Sequence, residues 1–299
     1  MNGLEKYLQQ VEGNSKVVSR SELEGILDNC TVVKEFPASG QKKVFLVRDA
    51  SQREKIVKVV ADGDDRIARE IEIVTQNKIP YVPKIYDFRD FEWQGIKYNY
   101  IVEEYIEGLT LKEKLAAKKL TLHEGVRLLE TLLQISVVLE DMRTVHRDIK
   151  PDNIMCGIKG EYYLIDFGIA RQLDKPSLTM TEAAIGPHTP GYGAPELFQY
   201  SRIDIDIKSD LFSIGVVLFE ALTGHHPFLT GDEWDLNEVW YKTKTVTPKD
   251  YLIEGDTNKQ LLGFIETLMQ KHPTRRPSTA KKALELFSIV IPTLEGGEM

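Results

Sequence analysis

His146-Arg147-Asp148-Ile149-Lys150-Pro151-Asp152-Asn153 is the stretch that decides how this chain is read. Asp166-Phe167-Gly168 follows it, and Ala194-Pro195-Glu196 comes later. Each string alone is short enough to be accidental. Each specified position arises by chance at roughly one in twenty under average usage. About a dozen such positions, in one order and in register, leave coincidence negligible.

Working outward from these strings, the local patterns divide the chain in two. Residues 1–30 read as an extension, in which Ser21-Glu22-Leu23-Glu24 has the form of a capping box. The β-branched, alternating stretches Thr31–Phe36, Val44–Arg48 and Lys55–Val60 predict successive strands, and Tyr98–Tyr105 predicts another. Between them Arg66–Gln76 has helical spacing, with Ile67, Ile71 and Val74 on one face. Beyond Tyr105 the pattern turns helical. Thr121-Leu122-His123-Glu124 forms a second capping box ahead of Leu128, Leu132, Ile135 and Leu139. Tyr162–Ile165 predicts a strand that ends at Asp166. Ser209–Thr223 is apolar all round, as a buried helix should be, and Gly224 ends it. Ser278 is expected to open a last helix through Ala283 and Phe287. The expected class is α+β, a small β-rich lobe followed by a larger helical one.

The bulk numbers fit a globular protein. Of 299 residues, 42% are hydrophobic and 28% charged. With 38 Lys plus Arg against 46 Asp plus Glu, the formal net charge is −8. A pI near 5.4 argues against a nucleic-acid partner, which needs a basic face. Cys30 and Cys156 stand far apart, with neither a disulfide framework nor a metal-ligand spacing, and suit a reducing cytoplasm. The first residues lack the apolar core of a signal peptide. The longest apolar stretch, Leu211–Leu222, is interrupted by Glu220 and falls short of the roughly 20 residues a membrane span needs. No membrane anchor is expected.

The three strings together resemble the signature set of eukaryotic-type (Hanks-type) serine/threonine protein kinases, over about Val32 to Phe287. The resemblance implies a bilobal fold, with residues 31–105 as the N-lobe and 106–299 as the C-lobe of one kinase domain spanning about 31–290. A stand-alone, soluble bacterial member is expected. The family's activity is transfer of the ATP γ-phosphate to protein Ser or Thr hydroxyls, with Mg²⁺ (or Mn²⁺) as cofactor. Carried onto this sequence, Asp148 is the catalytic base and Lys150 reaches the transferring phosphate, as in Ser/Thr-directed members. Asn153 and Asp166 are the metal ligands. Lys58, in Lys55-Ile56-Val57-Lys58, corresponds to the phosphate-binding lysine, and Glu70 to its ion-pair partner. Glu104 and Ile106 correspond to the hinge that binds adenine. Asp210 corresponds to the carboxylate tying down the catalytic loop, and Glu196 with Arg276 to the pair closing the activation segment. Thr179 and Thr181 match paired threonines that such bacterial kinases phosphorylate on themselves, which implies a transient homodimer. His146 and Phe167 are expected to pack internally.

Four departures stand out. Aligning the glycine loop's closing valine on Val44 puts Pro37, Ser39 and Lys42 where glycines belong, and leaves only Gly40. Ile56 replaces a small residue over the adenine. Glu103 occupies the gatekeeper place, where a buried carboxylate needs a partner, with Lys58 the nearest candidate. Gly186-Pro187-His188-Thr189 inserts residues into a Gly-Thr step. These departures keep a second reading open, a kinase-shaped scaffold with little or no catalysis. Against it, Lys58, Asp148, Asn153 and Asp166 are all present. A small-molecule kinase would share the Asp and Asn but lack Ala194-Pro195-Glu196 and the Arg276 partner.

Overall fold

Alternating side chains in β2 (Lys42–Arg48) and β3 (Glu54–Ala61) build an antiparallel sheet. The structure is a computed structural model that describes residues 19–27, 30–37, 42–61, 71, 73–75, 79–93, 95–167, 171–172, 191–198 and 205–295. β1 (Thr31–Glu35), β4 (Ile85–Trp93) and β5 (Ile96–Glu104) complete the sheet in the order β1-β2-β3-β5-β4. Lys58 stands opposite Val44 on one side and Ile101 on the other, and Ile56 opposite Leu46 and Glu103. These positions share one face. The intervening residues Phe45, Val47, Val57, Val59, Tyr98 and Tyr100 form the other, a buried apolar cluster.

That cluster is covered by the extension. Leu23 of α1 (Arg20–Ile26) is completely buried in it, and Leu27 joins it. Trp93 Nε1 donates to Glu22 Oε1 at 3.0 Å, and the Val32 N–H donates to Glu24 Oε1 at 2.9 Å. The Arg20 guanidinium donates to the Val32 carbonyl. The capping box is centred on Ser19, not Ser21. The Ser19 hydroxyl accepts from the Glu22 N–H, and the Ser19 N–H donates to Glu22 Oε2 at 2.7 Å. Both serines have a glutamate three residues on, but Glu24 is drawn away to β1.

The sequence reading omits β4, because Asp87, Arg89, Asp90 and Glu92 break its apolar alternation. The strand lies at the sheet edge, where exposed charges are tolerated. Ile71 and residues 73–75 are helical, and Ile71 packs on Val60 and Ile101. The rest of the predicted helix, Glu70 included, lies outside the described residues.

The second unit comprises Ile79–Val82 and the chain from Glu107 onward. α2 (Leu111–Ala117) is opened by a Thr110–Glu113 capping box that the sequence reading passed over. In α3 (Leu122–Asp141) the expected box is present: the Thr121 hydroxyl accepts from the Glu124 N–H at 3.3 Å. α3 packs against α4 (Ile207–Thr223), whose residues are nearly all buried. Gly224 ends α4 in the left-handed region, at φ 77°. At Gly215 a Cβ would fall 2.7 Å from Met269 Cγ, so the close approach of α6 (Gln260–Leu268) requires glycine. α5 (Leu236–Thr245) precedes α6, and α7 (Ala280–Val290) closes the unit against α3. Its cap is Thr279 rather than Ser278: the Thr279 hydroxyl accepts from the Lys282 N–H at 2.9 Å. Two small sheets remain among the described residues. β6 (Gly108–Thr110), β8 (Ile154–Gly157) and β9 (Tyr162–Leu164) pair in the order β6-β8-β9, and β7 (Thr144–Val145) pairs with β10 (Arg171–Gln172). Among the described residues no helix is long and apolar enough to cross a membrane. A β-rich unit followed by a larger helical one is the α+β arrangement expected.

Because Leu23 is fully buried against the sheet, Leu23→Ala should cost about 2–5 kcal/mol. Urea denaturation should show a lowered midpoint at unchanged slope. An unmoved midpoint would mean that α1 contributes nothing to the cooperative unit.

Candidate active site

The geometry starts from the β8–β9 ladder. Ile154 pairs with Leu164, so the residue before β8 and those after β9 meet at one end. There the Ile165 N–H donates to the Asn153 carbonyl at 2.9 Å, and Asp166 follows directly. Two oxygen-bearing side chains distant in sequence are thus brought together by backbone pairing. Asp166 takes φ 66° and Arg147 takes φ 71°. Left-handed backbone at residues other than glycine costs on the order of 1–3 kcal/mol each, and it persists where surrounding bonds enforce it.

Those bonds are present around Asp148. The Asn153 side-chain amide donates to the Asp148 carbonyl at 2.9 Å and to Asp148 Oδ2 at 2.8 Å. With its nitrogen so committed, Asn153 has its amide oxygen to offer a cation. Lys150 Nζ lies 2.9 Å from the same Asp148 oxygen. Burial pushes the Asp148 carboxyl above the usual carboxylate range, and the Asp166 charge adds to this. Lys150 and Asn153 pull the other way. Raising a carboxylate's pKa makes it a stronger proton acceptor, as a general base requires.

The loop is anchored from α4. Asp210, fully buried, accepts the His146 N–H at 2.7 Å and the Arg147 N–H at 2.8 Å. His146 packs edge-on to Phe167 at 4.7 Å between ring centroids, and both are buried. Further along, Arg276 binds Glu196 through two parallel bonds of 2.6 and 2.9 Å, with both residues buried. Arg276 also donates to the carbonyls of Lys208, Gln270 and Lys271 and stacks over Phe212, while Ser209 donates to Glu196.

In the first unit Lys58 Nζ lies 2.7 Å from Glu103 Oε1, with side-chain exposures of 8% and 7%. Val44 is the cross-strand neighbour of Lys58. The Glu104 N–H donates to the Lys84 carbonyl at 2.8 Å, and Ile106 is buried just beyond the end of β5. Gly40, Glu70, Thr179 and Thr181 lie outside the described residues. A further polar contact escaped the sequence reading. Glu220, noted there only as an interruption of an apolar run, accepts the Tyr192 hydroxyl at 2.6 Å, and burial pushes its carboxyl up. A carboxylate inside an apolar helix was the available signal.

With this geometry in hand, comparison with known proteins is informative. Residues 32–287 match the family model of the protein kinase domain. The chain is 30% identical over 211 residues to the probable serine/threonine-protein kinase PknB of Lactococcus lactis, covering 67% of this chain and 32% of that protein. It is 34% identical over 252 residues to the serine/threonine-protein kinase PknB of Mycobacterium tuberculosis, covering 81% and 39%. To the serine/threonine-protein kinase PrkC of Bacillus subtilis it is 32% identical over 207 residues, covering 66% and 31%. The chain thus spans about a third of the length of these curated relatives.

Breaking the Glu196–Arg276 pair strands a buried charge, a loss of about 3–5 kcal/mol. Arg276→Met should therefore destabilise the fold by that amount, read by chemical denaturation. The double variant Glu196→Leu with Arg276→Met removes the stranded charge but leaves Ser209 and the carbonyls of Lys208, Gln270 and Lys271 without these partners, so it should recover only part of the loss. Stability equal to wild type in the single variant would remove the pair from the folding balance.

Proposed function

The chain belongs to the protein kinase domain family, and on that premise we propose that it is an ATP-dependent serine/threonine kinase acting on protein hydroxyls. The observation that carries the reading is the Asp148 carboxylate, partly buried and gripped by Lys150 and Asn153 beside the charge of Asp166. Such a carboxylate can accept the substrate hydroxyl's proton as the oxygen attacks phosphorus. Lys150, at the same oxygen, supplies positive charge where the transferring phosphoryl group gathers negative charge. The donor set at the end of the β8–β9 ladder, an amide oxygen and a carboxylate, fits the hard-oxygen preference of Mg²⁺, with Mn²⁺ an alternative. When bound, ATP and the metal supply the phosphoryl group and the neutralising charge. Lys58 would hold the phosphates, and the backbone at Glu104 and Ile106 the adenine edge. Asp210, Glu196 and Arg276 act as supports. The kinase domain is proposed to span about residues 31–290.

Radiolabelled ATP with Mg²⁺ tests this directly, since the chain should label itself or a generic basic protein. Asp148→Asn should cut turnover by at least about a hundredfold with nucleotide affinity nearly intact, the size expected for losing a positioned base. Asp166→Asn should instead weaken Mg²⁺-dependent ATP binding. Equal turnover in the first variant, or unchanged affinity in the second, would remove that residue from its role.

Acid hydrolysis of the labelled product should yield phosphoserine or phosphothreonine, and predominant phosphotyrosine would overturn the Ser/Thr assignment. Self-labelling is expected at Thr179 or Thr181. A phosphate there adds roughly −1.5 to −2 charge, enough to order a loop against an arginine. Replacing both with Ala should lower activity severalfold. Finding both unmodified in the active enzyme, with the double variant at full rate, would exclude this control.

A further inference from the structure

The Lys58–Glu103 pair has an unusual construction for a nucleotide-binding lysine. Both residues sit on central, adjacent strands of one sheet: Lys58 opposite Ile101, and Ile56 opposite Glu103. Lys58 and Glu103 are therefore diagonal neighbours on one face, close enough for long side chains to meet. They do so at 2.7 Å, with less than a tenth of either side chain exposed. The opposite face pins the register. Val57, Val59, Tyr98 and Tyr100 are buried in the cluster under α1, so a one-residue slip would turn these apolar side chains out and the charges in. The register thus keeps the two side chains within reach of each other while the sheet is intact.

We propose that Glu103 is the principal positioning residue for Lys58, ahead of Glu70, so that the sheet itself sets the phosphate-binding ammonium. This rests on the kinase reading above. An ammonium has three donors, so a carboxylate and phosphate oxygens can be held by Lys58 together. The gatekeeper carboxylate, the least expected residue of the sequence, thereby gains a function in nucleotide binding. Glu70 becomes secondary for ground-state affinity.

The test compares ATP KM and kcat for the full chain as wild type, Glu103→Gln, Glu103→Asp and Glu70→Gln, with a generic basic protein as acceptor. Glu103→Gln should raise the ATP KM about tenfold or more, with a smaller change in kcat. Glu103→Asp, which keeps the charge, should recover part of the loss, and Glu70→Gln should change KM less than Glu103→Gln. A purely structural Glu103 would lower the melting temperature and leave KM at the wild-type value, and that result overturns the proposal. So does a larger KM effect from Glu70→Gln. If Glu103→Gln fails to fold, Glu103→Asp against Glu70→Asp replaces it, and the larger KM effect must again come from position 103. Binding of a fluorescent ATP analogue separates the two layers of inference. The same ranking in binding, with no phosphotransfer by wild type, would overturn the kinase reading and support the role of Glu103. An active wild type with unchanged affinity in Glu103→Gln would overturn the role of Glu103 alone.

Discussion

The grip of the Asp210 carboxylate on the His146 and Arg147 N–H groups is the constraint on which the site depends. A loop carrying Arg147 in left-handed backbone has no ladder to satisfy its amides, and buried amides without partners are costly. Asp210 supplies both bonds from α4, a helix buried along nearly its whole length. A carboxylate that accepts two N–H bonds is held in one orientation, and so is the peptide it holds. Asp148, the next residue, therefore inherits its position from a helix that is far away in sequence. Asn153 completes the arrangement by bonding both the carbonyl and the side chain of Asp148.

The same economy recurs where Glu196 meets Arg276. A buried ion pair is weak evidence for stability by itself, because desolvation offsets its attraction. What distinguishes this one is saturation: two bonds to the carboxylate, three to backbone carbonyls and an aromatic face beneath the guanidinium. Such a network rewards a single arrangement of the segments it joins and penalises any other, because each displaced bond leaves a buried polar group. The Ala194-Pro195-Glu196 stretch is thereby fastened to the start of α4 through Ser209, and to the segment beyond α6 through Arg276.

In the β-rich unit the organising principle is the strict alternation of a strand. One face of β2, β3 and β5 is apolar and is closed by α1, and the other carries Lys58 and Glu103. The two faces are not independent. Packing of Leu23 on the first fixes the register that places the ion pair on the second, so a helix in the extension before β1 underwrites the geometry of a charged pair on the opposite side.

Much of this was legible in the residues. The order and separation of the motif strings named the chemistry, and some local signals with a single local solution were read correctly, among them the box at Thr121–Glu124 and the stop at Gly224, though the box at Thr110–Glu113 was passed over. Where two local solutions competed, the sequence was silent. Ser19 and Ser21 both precede a glutamate by three, and the choice fell to Trp93 and Val32, which recruit Glu22 and Glu24 from elsewhere in the fold. β4 was invisible because an edge strand needs no apolar alternation. The sequence could supply the donors Asn153 and Asp166, Asp148 and Asp210, Lys58 and Glu103, since residue type and spacing are local properties. Their meeting depends on ladder register and helix packing, which sum over many distant contacts, and only the tertiary structure decided it.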